Sequence, residues 1–101
     1  MFLVIYRWRL RTGFEEQFAE AWRMITDLAI HHCGSGGSCL AQGADGTWVA
    51  IARWESREAR ARCFARELVS ADVRQRMEEA IVETLPPLEL TVFDDRWVAL
   101  R

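Results

Sequence analysis

At 101 residues the chain has room for one domain, residues 1–101, long enough to bury about two-thirds of its unfolded surface. Half of its residues are apolar and 28% are charged, which excludes a disordered chain. A net charge of −2 argues against nucleic acid and anionic membrane as general partners.

The opening Met1-Phe-Leu-Val-Ile-Tyr6 is apolar but interrupted by Arg7, Arg9 and Arg11. It is too short for a signal peptide and carries no basic leader. No apolar run approaches the roughly 20 residues of a membrane span. Three cysteines without a secretion signal point to free thiols in a cytoplasmic protein rather than a disulfide framework.

Residues 2–11 alternate, with Phe2, Val4, Tyr6, Trp8 and Leu10 on one face and Leu3, Ile5, Arg7, Arg9 and Arg11 on the other. This pattern predicts a strand. Thr12 with Glu15 three residues on reads as a capping box that starts a helix at Gly13 or Phe14. Phe14, Phe18, Ala21, Trp22, Ile25, Leu28 and Ala29 then fall at helical spacing, and the glycines from Gly34 stop the helix. Ser38 to Gly43 is a short strand, joined by a two-residue Asp45-Gly46 turn to a third strand.

That third strand places Trp48, Ala50, Ala52 and Trp54 on one face and Val49, Ile51 and Arg53 on the other. Two alanines between two tryptophans leave a hollow with an aromatic wall, suited to a flat organic ligand. Ser56 reads as an N-cap for a helix over about residues 57–68, with Cys63 as a small core residue. Ser70 reads as a second cap for a helix running to about Thr84, where Pro86-Pro87 end it. Leu88 to about Asp94 form the last strand, with residues 97–100 as an extension.

The order strand, helix, strand, strand, helix pair, strand predicts an α+β, ferredoxin-like split β-α-β-β-α-β fold, a four-stranded antiparallel sheet with helices on one face. The other face would expose Leu3, Ile5, Val49, Ile51 and Phe93, too large an apolar patch for a monomer. A homodimer through that face is expected, with Arg7, Arg53 and Glu89 pairing within it.

Tyr6-Arg-Trp-Arg-Leu-Arg-Thr-Gly13 with Phe18 and Trp22, then Asp45-Gly-Thr-Trp48 and Trp54-Glu-Ser56, resemble the antibiotic biosynthesis monooxygenase domain of the dimeric α+β barrel superfamily. The resemblance covers nearly the whole chain. It implies a cofactor-independent monooxygenase-like oxidoreductase that takes a small aromatic or quinol-type molecule between sheet and helices. Trp54 matches the family's tryptophan at the end of the third strand. With Tyr6 it forms the catalytic pair, with Trp8, Trp22, Trp48 and Ala50 around the substrate. The quinone-forming members carry an asparagine where this chain has Ala50, and the haem-degrading members carry one at Tyr6. This chain contains no asparagine, which leaves a second class open, a non-catalytic ligand-binding or interaction dimer.

The sequence calls for no cofactor and no metal. Cys33 and Cys39 with His31 and His32 match no standard zinc spacing. RNA-recognition domains share the strand order, but the RNP-type pattern is missing and the aromatics face the helices.

Overall fold

The computed structural model describes residues 1–100. Its elements are β1 (Phe2–Leu10), α1 (Glu15–Cys33), β2 (Ser38–Gln42), β3 (Trp48–Trp54), α2 (Arg57–Ala65), α3 (Ala71–Glu79) and β4 (Ile81–Thr91). The strands form one antiparallel sheet in the order β2-β3-β1-β4, the ferredoxin-like arrangement.

The β1–β3 pairing runs without a break from Phe2 opposite Trp54, through Val4–Ala52 and Tyr6–Ala50, to Trp8 opposite Trp48. Paired residues of an antiparallel ladder project to the same side, so the apolar alternation of both strands builds one helix-facing surface. Phe18 of α1 is fully buried against it, a burial that contributes about 2–3 kcal/mol.

The helix ends follow local chemistry, with one departure. Ser56 and Ser70 cap α2 and α3 by accepting the backbone N–H of Ala59 at 3.0 Å and of Val73 at 3.2 Å. Gly34 closes α1 in the left-handed region, at φ 68°, a conformation that costs glycine nothing. Thr12 makes no capping bond. The N-cap of α1 is Phe14, and the Glu15 carboxylate instead accepts the Gly13 N–H at 2.8 Å. Helix α2 stops at Ala65 rather than near residue 68.

The β2–β3 connection is also longer than a two-residue turn. Residues 43–47 link the strands, with the Asp45 carboxylate accepting the Thr47 N–H at 2.9 Å and the Gly43 N–H bonded to the Thr47 carbonyl at 2.7 Å.

The largest departure is at the last strand. Helix α3 ends at Glu79 and β4 begins at Ile81, so the stretch expected to complete the helix lies in the sheet. Ile81, Val82 and Thr84 are β-branched and weak in a helix, and Leu10, Arg9 and Trp8 of β1 offer them a ladder. The Arg11 N–H donates to the Ala80 carbonyl at 2.8 Å where the chain turns. Pro86-Pro87 sit inside β4 because it is an edge strand, where a missing N–H is tolerated. The register shifts between Ile5 and Arg7 opposite them.

That shift changes which β4 side chains face where. Leu88 pairs with Ile5, Leu90 with Leu3, and Glu89 with Val4. Glu89 therefore lies on the helix side rather than beside Arg7 and Arg53. Its partners are Arg57 and Arg60 of α2. Arg7 donates to the Pro86 carbonyl at 3.0 Å and Arg53 to the Gly36 carbonyl at 2.9 Å. Phe93 falls beyond the strand and is fully exposed, and residues 97–100 form no strand. Leu88 and Leu90, 45% and 41% exposed, take the place expected for Phe93 on the open face, alongside Ile51 at 39%.

Cys63 is not a free core thiol. It is bonded to Cys33, which joins the end of α1 to α2 beside Phe2, Val4, Ala52 and Trp54. Only Cys39 remains free, so the free-thiol premise for a cytoplasmic protein does not hold for the other two. No helix among the described residues is long and apolar enough to cross a membrane.

The disulfide closes a span of 30 residues. In the chain-entropy picture such a link contributes on the order of 3 kcal/mol. Reduction, or Cys33→Ala, should lower the unfolding free energy obtained from a urea titration by about that much, and the midpoint with it. A midpoint that is the same with and without reductant would show that the bond adds nothing in solution.

Candidate functional site

The helix-facing surface carries a cavity of about 190 Å³. β1 contributes Tyr6 and Trp8, β3 contributes Ala52 and Trp54, and α1 lays Trp22, Ile25, Thr26 and Ala29 across the top. Phe64 of α2, Met77 of α3, and Ser35 and Ser38 near the α1–β2 turn complete the wall. The aromatic rings are held by one another. Tyr6 stacks on Trp8 at 5.8 Å, Trp8 meets Phe18 edge-on at 4.8 Å, and Trp54 meets Phe64 edge-on at 6.1 Å. Such pairs add about 0.5–1.5 kcal/mol each beyond burial.

Of the residues expected at the site, Tyr6, Trp8, Trp22 and Trp54 meet at this cavity. Trp48 and Ala50 do not line it. Ala50 is buried in a cluster with Trp8, Phe18 and Ala80, with Trp48 packed alongside. The hollow left by the small β3 side chains is filled beside Ala50 and stays open only beside Ala52.

Polar atoms at this cavity are few and incompletely partnered. Trp54 is 4% exposed, and its indole N–H has no acceptor among the described residues. The Ser38 hydroxyl is likewise buried and unpartnered. A buried donor without an acceptor costs about 1–3 kcal/mol, and such orphans point to a ligand or a water.

Tyr6 has a partner that the sequence did not single out. The Arg60 Nε–H donates to its hydroxyl oxygen at 2.9 Å. The Arg60 guanidinium also lies over the Phe64 ring at 4.5 Å and near Tyr6 at 5.6 Å, and its Nη1 is 3.7 Å from a Glu89 oxygen. Arg60 and Phe64 are one helical turn apart on α2, which puts them on one face. That spacing was the available signal, masked because an arginine on a short polar helix reads as solvated. Burial pushes the Tyr6 phenol above its ordinary 10.0, while the hydrogen bond and charge of Arg60 pull the other way.

Among the described residues no group of three or more His, Cys, Asp or Glu side chains could hold a metal ion. No carboxylate, imidazole or thiol lines the cavity, so no wall residue is a conventional proton acceptor at neutral pH.

Solved structures share this architecture. Rv0793 from Mycobacterium tuberculosis superposes with a TM-score of 0.75 over 93% of this chain and 96% of its own, at 19% identity. SnoaB of Streptomyces nogalater, a cofactor-independent oxygenase, gives a TM-score of 0.76 over 93% and 94% at 14% identity. A Nitrosomonas europaea protein, provisionally named an antibiotic biosynthesis monooxygenase, gives 0.67 over 89% and 94% at 22% identity. The chain has the antibiotic biosynthesis monooxygenase fold. At these identities the likeness establishes the fold alone. No family model matches the sequence, and no curated protein does.

Tyr6 is the only tyrosine, so tyrosinate absorbance reports on one residue. It should titrate above 10.0 in the folded protein and return to the ordinary value in urea. The sign for stability follows from linkage. The raised pKa contributes stability that is fully present below the unfolded value, near 10, and is lost as pH rises through the folded one. A folded-state midpoint at or below the value in urea would contradict the burial of Tyr6.

Proposed function

We propose that the protein is a dimeric, cofactor-independent monooxygenase acting on a small phenolic aromatic held against Trp54 and Tyr6. The observation that carries this reading is the aromatic-walled cavity, one wall of which is Trp54, a residue whose buried indole N–H has no partner among the described residues. A ligand oxygen is the group such a donor lacks. An engineered cavity of about 150 Å³ holds benzene, so about 190 Å³ suits one or two fused rings. The SnoaB fold match supports oxygen chemistry without a cofactor.

In the proposed reaction an aromatic phenolate with a free para carbon reacts with O₂. One oxygen atom bonds to that carbon. The other leaves as water with the two hydrogens that the phenol and the ring give up, and the product is a quinone. All four electrons come from the substrate, so no outside reductant enters. Trp54 N–H and Tyr6 O–H hold the substrate oxygen, and Trp8, Trp22 and Phe64 exclude water. With no base among the wall residues, the phenol proton passes to solvent, and the rate should follow ionisation of the substrate.

A second reading, a binding protein without turnover, is favoured by one observation. Ala50 stands where the quinone-forming relatives are expected to carry a polar partner, and it is sealed in the core at 1% exposure.

The dimer is proposed through the open sheet face, with Leu3, Ile5, Val49 and Ile51 joined by Leu88 and Leu90, and with Arg7 and Arg53 among them. The exposure of Ile51, Leu88 and Leu90 on one surface supports it, since a contiguous apolar patch marks an interaction site. The buried Arg7 Nε, unpartnered among the described residues, would meet a partner's acceptor there.

With 1-naphthol, oxygen uptake and 1,4-naphthoquinone should appear in equal amounts, and Trp54→Phe should cut the rate by about 10²-fold, the range for losing one such donor. Binding of 1-naphthol without oxygen uptake would establish the second reading instead. Sedimentation should give a dimer, and Ile51→Glu, which buries a charge in the interface, should give a folded monomer. A concentration-independent monomer in the unmodified protein would rule the dimer out.

A further inference from the structure

The hydrogen bond between Arg60 and Tyr6 has a direction. Guanidinium groups donate and never accept, so the Tyr6 oxygen must be the acceptor at 2.9 Å. The phenolic hydrogen is then left over, and no acceptor takes it among the described residues. The charged groups acting on Tyr6 are Arg60 from α2 and Glu89 from β4, and Glu89 is engaged by Arg57 and Arg60. Arg60 itself is well enclosed, with a side chain 19% exposed, so its charge is only partly screened. It lies between Phe64 at 4.5 Å, Tyr6 and Glu89, which restricts its geometry.

A tyrosine hydroxyl normally donates or accepts by rotating its hydrogen. With its oxygen already accepting from Arg60, the Tyr6 hydroxyl has its hydrogen left to donate. Trp54, which lines the same cavity, carries a second obligate donor, an indole N–H with no acceptor among the described residues. Two donors with no fixed acceptor select for an oxygen that only accepts.

Resting on the reading of the cavity as a phenol site, we propose that Arg60 is a positioning residue that holds Tyr6 as a one-way donor, so that the cavity takes its aromatic ligand as the phenolate in preference to the neutral phenol. Arg60 does not touch the ligand. It acts through the Tyr6 hydroxyl and fixes which ionisation state of the ligand is bound.

The probe is 4-nitrophenol, whose phenolate is coloured, with nitrobenzene as the analogue lacking the hydroxyl. Bound to the protein, 4-nitrophenol should ionise about one pH unit below its value in free solution, equal to about tenfold preference for the phenolate. Arg60→Met should abolish that shift and weaken nitrophenolate about tenfold, with nitrobenzene affinity held within about twofold as the check on folding. Arg60→Lys should restore part of the shift. Tyr6→Phe should match Arg60→Met, and the double variant should lose no more than either alone, as for two residues acting as one unit.

Equal weakening of both probes by Arg60→Met would make Arg60 a packing residue and overturn the proposal while leaving the cavity reading intact. Losses that add in the double variant, or a bound midpoint unchanged in every variant, would do the same. Failure of the unmodified protein to bind either probe would remove the cavity reading and this proposal with it.

Discussion

The antiparallel register of β1 on β3 is the constraint on which the other features depend. Because Phe2 faces Trp54 and Trp8 faces Trp48, every large aromatic on these strands lands on the same side, with alanines between them. A slip of one residue would turn that set toward the open face and bring Leu3, Ile5, Val49 and Ile51 under the helices instead. The register thus fixes at once the surface α1 covers, the place where a cavity survives and the apolar face left uncovered.

Over that surface the helices decide what is filled. Phe18 of α1 occupies the space near Ala50, while Trp22, Ile25 and Ala29 arch over Ala52 and leave the cavity. Helix α2 closes one side with Phe64 and sets Arg60 against Tyr6 and Glu89. Its placement is fixed by Ser56 at its start and by the Cys33–Cys63 bond to α1 near its end. The aromatic wall and the half-buried Arg60 beside it therefore come from different elements, brought together by packing.

Much of this was legible in the residues. Alternation in β1 and β3, the caps at Ser56 and Ser70 and the stripe of α1 are local patterns, and local patterns survive folding when the tertiary environment agrees with them. Tyr6, Trp8, Trp22 and Trp54 were recognisable as one constellation because strand parity and helical spacing both point them at the same layer. The first half of the last strand was not legible, since Ile81 to Thr84 follow a helix stripe closely enough to prolong it on paper. Only the free edge of β1 draws them into the sheet. A prolyl pair that reads as a stop in isolation is permitted on an edge strand, and the shift it imposes moved Glu89 across the sheet.

By itself, the sequence determined the strand order, the two faces of the sheet and the aromatic character of the inner one, because these rest on spacing along the chain. The tertiary structure alone decided that the hollow lies beside Ala52 rather than Ala50, that Cys33 meets Cys63, and that Arg60 reaches Tyr6 across 54 positions. Each of these depends on how closely separate elements approach one another. That distance is set by the packing of whole faces, and no spacing within a single element encodes it.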